Sequence, residues 1–320
     1  MKTIPHIFYT IATLLVGTLL LPSCTKEDMS DCPGQVEVYF TFNTSGVGGE
    51  RINPADIDRM HLYIFNDEGY YLREYRDDRI TNFNTDYHID CSDLLPGNYR
   101  LIAWSGKDER FYSTSPSGFV KNKTTFNEAL LMLSHSGNNV PANLHHIFHA
   151  ELQDIFIVFQ KKQRFYMPLT QLSNTINVRT VGLSSNENVY TLNVRDDNCT
   201  YKFDKSFASH SHATTTYTAP CIKNGAGQLN ASLNVLRLAA DRQHPQLEIY
   251  NETSGKLLYP TGTQSGNLIG LILSAYPQNN FEITHTYDIV FTFTESSTGL
   301  TATVAINGWQ VHGQEGELVE

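Results

Sequence analysis

The chain has 320 residues, a formal charge of -10, 18% charged residues and 11% aromatics, including 17 Tyr and 17 Phe. An acidic chain of this kind lacks the basic footprint that nucleic-acid binding needs. Abundant aromatic and β-branched residues, with no long Ala/Glu/Lys/Leu-rich segment, predict β-structure.

The chain begins with Lys2 and then an apolar run from Ile7 to Leu21. That run is about 15 residues, short of the ~20 that span a bilayer as a helix. A positive start, a short apolar core and the small Ser23 before Cys24 read as an export signal of the lipoprotein kind. Residues 1–23 would be removed and Cys24 would carry the acyl chains, including palmitate. Each buried methylene is worth about 0.8 kcal/mol, so several chains on one cysteine hold durably. Lys26-Glu27-Asp28 resembles the tag that sends lipoproteins of the Bacteroidota to the exterior of the outer membrane. No other run approaches the length of a membrane helix.

Residues 24–34 are a polar tether ending in the turn Cys32-Pro33-Gly34. The first strand follows, with Val36, Val38, Phe40 and Phe42 on one face. Strands are predicted over Asp56–Asn66, Tyr70–Tyr75 and Tyr87–Cys91. Tyr99–Trp104, apolar on both faces, predicts a central strand. Asn127–Ser134 fits a short helix or a strand equally. After an extended stretch from His146 to Phe159, the charged run Lys161-Lys162-Gln163-Arg164 marks a division, giving units of 35–160 and 161–320.

The second unit repeats the style. Strands are predicted at Gln171–Leu183, Val189–Val194, Thr200–Phe203, Thr214–Ile222, Gln228–Leu238 and Gln246–Tyr250. Leu268–Ala275 fits a short helix or a buried strand. Two strands close the chain, one carrying Tyr287, Ile289, Phe291 and Phe293, the other Ala302, Val304 and Ile306. Asn307-Gly308-Trp309 and a polar tail come last. About seven strands per half, and almost no helix, give an all-β class: two β-sandwich domains in tandem.

If Cys24 is acylated, Cys32, Cys91, Cys199 and Cys221 remain, an even number in an oxidising compartment. Three pairings exist. The simplest joins Cys32 to Cys91 and Cys199 to Cys221, each closing a loop worth roughly 3–4 kcal/mol. Their spacing matches no zinc motif, and no metal or cofactor is expected.

No catalytic constellation emerges. His145 and His149 would share a face only on a helix, and their surroundings are not helical in pattern. His210-Ser211-His212 reads equally as strand or loop. Asp77-Asp78 and Asp196-Asp197 are turn carboxylates, not a pair set across a cleft. No nucleophile elbow, phosphate loop or dinucleotide fingerprint is present.

Several stretches, in order, resemble the FimB-type fimbrial anchor (fimbrillin-associated anchor) family of the Bacteroidales. They are Cys24 with Cys32-Pro33, the strand Val36–Phe42, and the run from Ile57 to Gly69. Leu95-Pro96-Gly97-Asn98-Tyr99 leading to Ala103-Trp104-Ser105-Gly106 follows, and Val304-Ala305-Ile306-Asn307-Gly308-Trp309 closes the set. The resemblance implies two transthyretin-like β-sandwich domains and a structural, non-enzymatic role in a fimbrium. The expected partners are fimbrial shaft subunits, joined by β-strand complementation, and the outer membrane, reached through the lipid. Val36, Val38, Phe40 and Phe42 would fill the chain's own groove, and Val304, Ile306 and Trp309 would meet the next subunit. The alternative is a surface glycan-binding lipoprotein, which predicts exposed rows of aromatic side chains.

Overall fold

The computed structural model describes residues 35–310 except 44–49, 135–138, 142–143, 160, 184–187, 209–213, 225–227, 243, 263 and 297–298. Cys24, Cys32, His210 and His212 therefore lie outside the described residues.

The described residues form five sheets. In spatial order, the first is β10 (Lys162–Pro168), β1 (Gln35–Thr41) and β4 (His88–Asp90). The second is β11 (Thr170–Gln171), β9 (Phe148–Ile157), β5 (Gly97–Ser105), β2 (Met60–Asn66) and β3 (Tyr71–Asp77). The third is β16 (Ile222–Lys223), β17 (Leu229–Leu236), β12 (Ser173–Val181), β20 (Thr286–Ser296), β21 (Gly299–Ile306) and β22 (Trp309–Gln310). The fourth is β19 (Lys256–Tyr259), β18 (Gln246–Asn251), β13 (Tyr190–Asp196), β15 (Thr215–Pro220) and β8 (Asn139–Pro141). A small fifth sheet is β14 (Thr200–Lys202), β7 (Leu130–Leu133) and β6 (Tyr112–Ser115).

Alternation sets what each strand buries. Val36, Val38 and Phe40 from the first sheet pack with Met60, Leu62, Ile64, Leu101 and Ala103 from the second, making one core. The second sheet is buried on its other face too. There Tyr63, Phe65, Ile102 and Trp104 join a larger core that runs through the C-terminal half. This explains why Tyr99–Trp104 is apolar on both sides: β5 is the middle strand of its sheet, as its pattern predicts.

Leu268–Ala275 is a helix, α1. The Asn267 side chain accepts from the Gly270 N–H at its start, and Leu268, Ile269, Leu271 and Ile272 are buried. This side-chain cap settles the helix-or-strand ambiguity of that apolar run. The Asn127–Ser134 ambiguity resolves the other way, as β7. The expected strand at Asp56 begins later, at Met60, because Pro54–Asp56 forms a 3-10 turn opened by Asn53.

The charged run at 161–164 opens a strand. β10 pairs in parallel with β1 over seven residues, from Gln35 opposite Lys162 to Thr41 opposite Pro168. Lys162 and Arg164 point outward while Met167 is buried, so the charges are the solvent side of an edge strand. The change from one core to the other comes between Leu169 and Leu172. The halves also exchange strands. β8 runs parallel to β15, and β14 pairs antiparallel with β7.

The proposed Cys199–Cys221 staple is not formed. The Cys221 N–H donates to the Tyr190 carbonyl at the start of β13, whereas Cys199 follows that strand's far end at Asp196. A strand of that length separates them by roughly 20 Å, against the ~7 Å limit for bridging two Cα atoms. Burial pushes the Cys221 thiol up to about 12. Cys91 is fully buried in the first core, and its thiol is likewise raised to about 12 by burial.

Candidate functional site

With no catalytic motif in the sequence, the functional surfaces to weigh are strand edges. β1 occupies a slot with both edges filled: β10 on one side, and β4 on the other over Glu37–Asp90 to Tyr39–His88. Val36 and Val38 are 0% exposed and Phe40 is 1% exposed. Burying such side chains is worth roughly 1.5–3 kcal/mol each. Phe42, just past the strand, is partly buried, its ring centroid 5.2 Å from that of Phe83.

The outward face of β1 is held by charge. Glu37 accepts from Lys162 Nζ at 2.6 Å, from Arg164 Nε at 3.0 Å and from the Tyr39 hydroxyl at 3.1 Å. Hydrogen bonding from Lys162, then from Arg164, holds the Glu37 carboxyl down at about 2. Next along the face, Tyr39 stacks between Tyr166, at 5.4 Å, and His88, at 4.8 Å. Tyr166 itself is 55% exposed. No local signal reveals the Glu37–Arg164 pairing, since 127 residues separate the partners.

At the other end of the chain, β21 pairs with β20 over eight residues but with β22 only at Ala305 and Ile306. Leu300 to Val304 thus present a backbone edge that carries no strand among the described residues. Val304 and Ile306 are 1% and 0% exposed, so they fix β21 in the core rather than offer side chains to a partner. Trp309 opens β22. The Ala302 carbonyl on the Leu300 to Val304 stretch accepts from the Gln264 side-chain amide at 2.9 Å, so only its remaining backbone groups can serve as a template for a further strand.

The polar residues singled out earlier have structural partners. His146 Nδ1 lies 2.9 Å from Ser173 Oγ, and His149 Nε2 lies 2.8 Å from the Phe203 carbonyl. His145 sits 3.8 Å from Asp58 at the surface. Asp196 is buried and, by that burial, its carboxyl is raised to about 7, with Arg242 nearby at 3.8 Å. Asp78 pairs with Arg76, and Asp77 accepts from the Tyr87 hydroxyl. Among the described residues no cluster of three His, Cys, Asp or Glu is arranged to hold a metal. Nor is any described helix long and apolar enough to cross a membrane.

Residues 29–315 match the family model described as fimbrillin-A associated anchor proteins Mfa1 and Mfa2. No curated protein sequence matches the chain. Among solved structures, the fold is similar to that of the fimbrial anchor protein Mfa2 from Porphyromonas gingivalis. That match has a TM-score of 0.69 at 20% identity over 88% of this chain and 99% of that one. It is also similar to a candidate polysaccharide-binding protein from Bacteroides thetaiotaomicron, with a TM-score of 0.66 at 18% identity over 90% and 99% of the two chains. A candidate adhesin from Bacteroides ovatus matches with a TM-score of 0.66 at 16% identity over 88% and 97%. At these identities the structural likeness concerns the fold.

Proposed function

The chain belongs to the fimbrillin-A associated anchor family, and from that premise we propose that it is a lipid-anchored structural subunit that moors a fimbria to the outer membrane. Cys24 carries the lipid, and the tether of residues 24–34 leads into β1. The observation that carries this reading is the seating of β1 between β10 and β4. A subunit whose own first strand fills that slot leaves no vacancy there for a neighbour's strand. It can therefore stand at the end of a polymer rather than within it. The adjoining shaft subunit is then met elsewhere, and the stretch of β21 that carries no strand, whose Ala302 carbonyl is already held by the Gln264 side-chain amide, is the candidate place for it.

The reading is tested by purifying fimbriae sheared from cells and from detergent-solubilised membranes. The protein is expected at the membrane-proximal end only, seen by immunogold labelling. Labelling along the whole shaft, or none at all, would contradict the reading.

A second reading, a glycan-binding surface, is favoured by one observation: the row Tyr166–Tyr39–His88 on the outward side of the first sheet. Exposed aromatic rings can stack on sugar faces. Under this reading Tyr166→Ala abolishes retention on immobilised glycans. Under the mooring reading the purified protein shows no retention that depends on Tyr166.

A further inference from the structure

The loop that leaves β1 ends in a contact with the opposite half of the molecule. Glu50 Oε1 accepts from the backbone N–H groups of His285, at 2.9 Å, and Thr286, at 3.0 Å, while Oε2 accepts from the Thr286 hydroxyl at 3.0 Å. The Glu50 N–H donates to the Ile283 carbonyl at 2.9 Å. One residue therefore satisfies the two backbone donors at the entry to β20 and ties its own backbone to the same segment.

Both ends of this contact are fixed. On the β1 side, the Ile52 N–H donates to the Asn43 carbonyl at 3.0 Å, closing the loop at its base. Ile52 is 5% exposed and belongs to the first core. Asn43 lies two residues past Thr41, the last residue of β1. On the β20 side, the Thr175 N–H donates to the His285 carbonyl at 2.7 Å, and the Asn174 side-chain amide donates to the Thr284 carbonyl at 3.2 Å. Thr175 then stands opposite Thr286 in the parallel pairing of β12 with β20. The segment that Glu50 grips is thus part of the sheet in which β20 lies between β12 and β21.

We infer that Glu50 is a latch that couples the seating of β1 in its slot to the entry of β20, and so to the C-terminal sheet. If β1 withdraws, the loop base at Asn43 is pulled away and the Glu50 carboxylate leaves His285 and Thr286. Two backbone N–H groups in a partly buried position then lose their acceptor, and each such loss is unfavourable. Linkage makes the effect reciprocal: whatever steadies the entry of β20 also steadies β1. Strand seating at one end of the molecule is thereby communicated to the sheet at the other. The inference concerns the isolated chain and does not depend on the lipid or on the fimbria.

Amide hydrogen exchange on the purified protein tests it. In Glu50→Ala, the His285 and Thr286 amides are expected to exchange faster, and so are the amides of Val36 to Thr41, by tenfold or more. The amides of Thr191–Arg195 and Leu247–Tyr250, in the opposite sheet, are expected to keep their rates. Thr286→Val, which removes only the hydroxyl contact, is expected to give a smaller change at the same two places. If the 285 and 286 amides speed up while β1 does not, or if neither changes, the coupling is refuted. Should Glu50→Ala lose protection throughout, Thr286→Val is judged by the same criterion.

Discussion

His149 on β9 and Phe203, the residue after β14, lie 54 residues apart, and His149 Nε2 sits 2.8 Å from the Phe203 carbonyl, where the ring N–H donates. The Phe203 ring packs against Tyr63, Phe119 and Trp104, with centroids 5.0, 5.2 and 6.0 Å away. Those three rings come from the N-terminal half, so Phe203 pins the halves together. Phe203→Ala is expected to cost about 3–5 kcal/mol by the usual range for large aromatic truncations, measured by urea unfolding. A cost within about 0.5 kcal/mol of zero, the range of an ordinary surface substitution, would show that the junction is not held there.

Two buried groups tilt stability against pH in opposite senses. Burial holds His149 down at about 4. The unfolded chain therefore takes up this proton first, and stability is full above about pH 6.5 and falls as pH drops toward 4. His146 and His285, also lowered by burial, add to that slope. Asp196, raised by burial to about 7, does the reverse: its contribution is full below about pH 4 and is lost as pH climbs toward 7. Asp196→Asn is expected to leave stability falling more steeply with acidification than in the wild type. His149→Gln is expected to leave it falling more steeply toward neutrality. Melting temperatures between pH 4 and 7.5 check both signs.

The inward and outward faces of β1 differ in kind. Phe40 is a core side chain, and Phe40→Ala is expected to cost about 3–5 kcal/mol. Glu37 sits in a solvent-facing set of ion pairs with Lys162 and Arg164, and pairs of that type contribute little. Glu37→Gln is therefore expected to lower the urea midpoint far less than Phe40→Ala. Equal effects would mean that charge, not packing, seats the strand.

The cysteines give a fourth test. The Cys91 N–H donates to the Val36 carbonyl at 2.8 Å, which puts Cys91 beside the entry of β1. Cys32, four residues before Val36 in the sequence, is the partner that the simplest pairing gives Cys91. Non-reducing peptide mapping of the mature protein is expected to recover a linked Cys32–Cys91 peptide and none joining Cys199 to Cys221. A Cys199–Cys221 peptide would contradict the separation that β13 imposes.

The residues show how far sequence alone carried. Val36 to Thr41 and Tyr99 to Trp104 were legible because period-two alternation, or apolarity on both faces, is a direct imprint of burial. β21 was legible for the same reason. The place of Lys162 to Arg164 in a strand was not legible, because charge on the outward side of an edge strand looks locally like a linker. The exchange of β8 and β14 left no local trace, since it depends on pairing across long separations. Glu50 was hidden altogether: in a glycine-rich loop, nothing marks a carboxylate whose donors lie 235 residues away.

The most direct measurement of the mooring proposal is the fate of fimbriae in cells carrying Cys24→Ala. With the proposed acylation site gone, the protein and assembled fimbriae are expected in the culture medium, and few fibres should remain on the cell surface. Fimbriae held on the cells in wild-type number, with the variant protein still at their base, would contradict it.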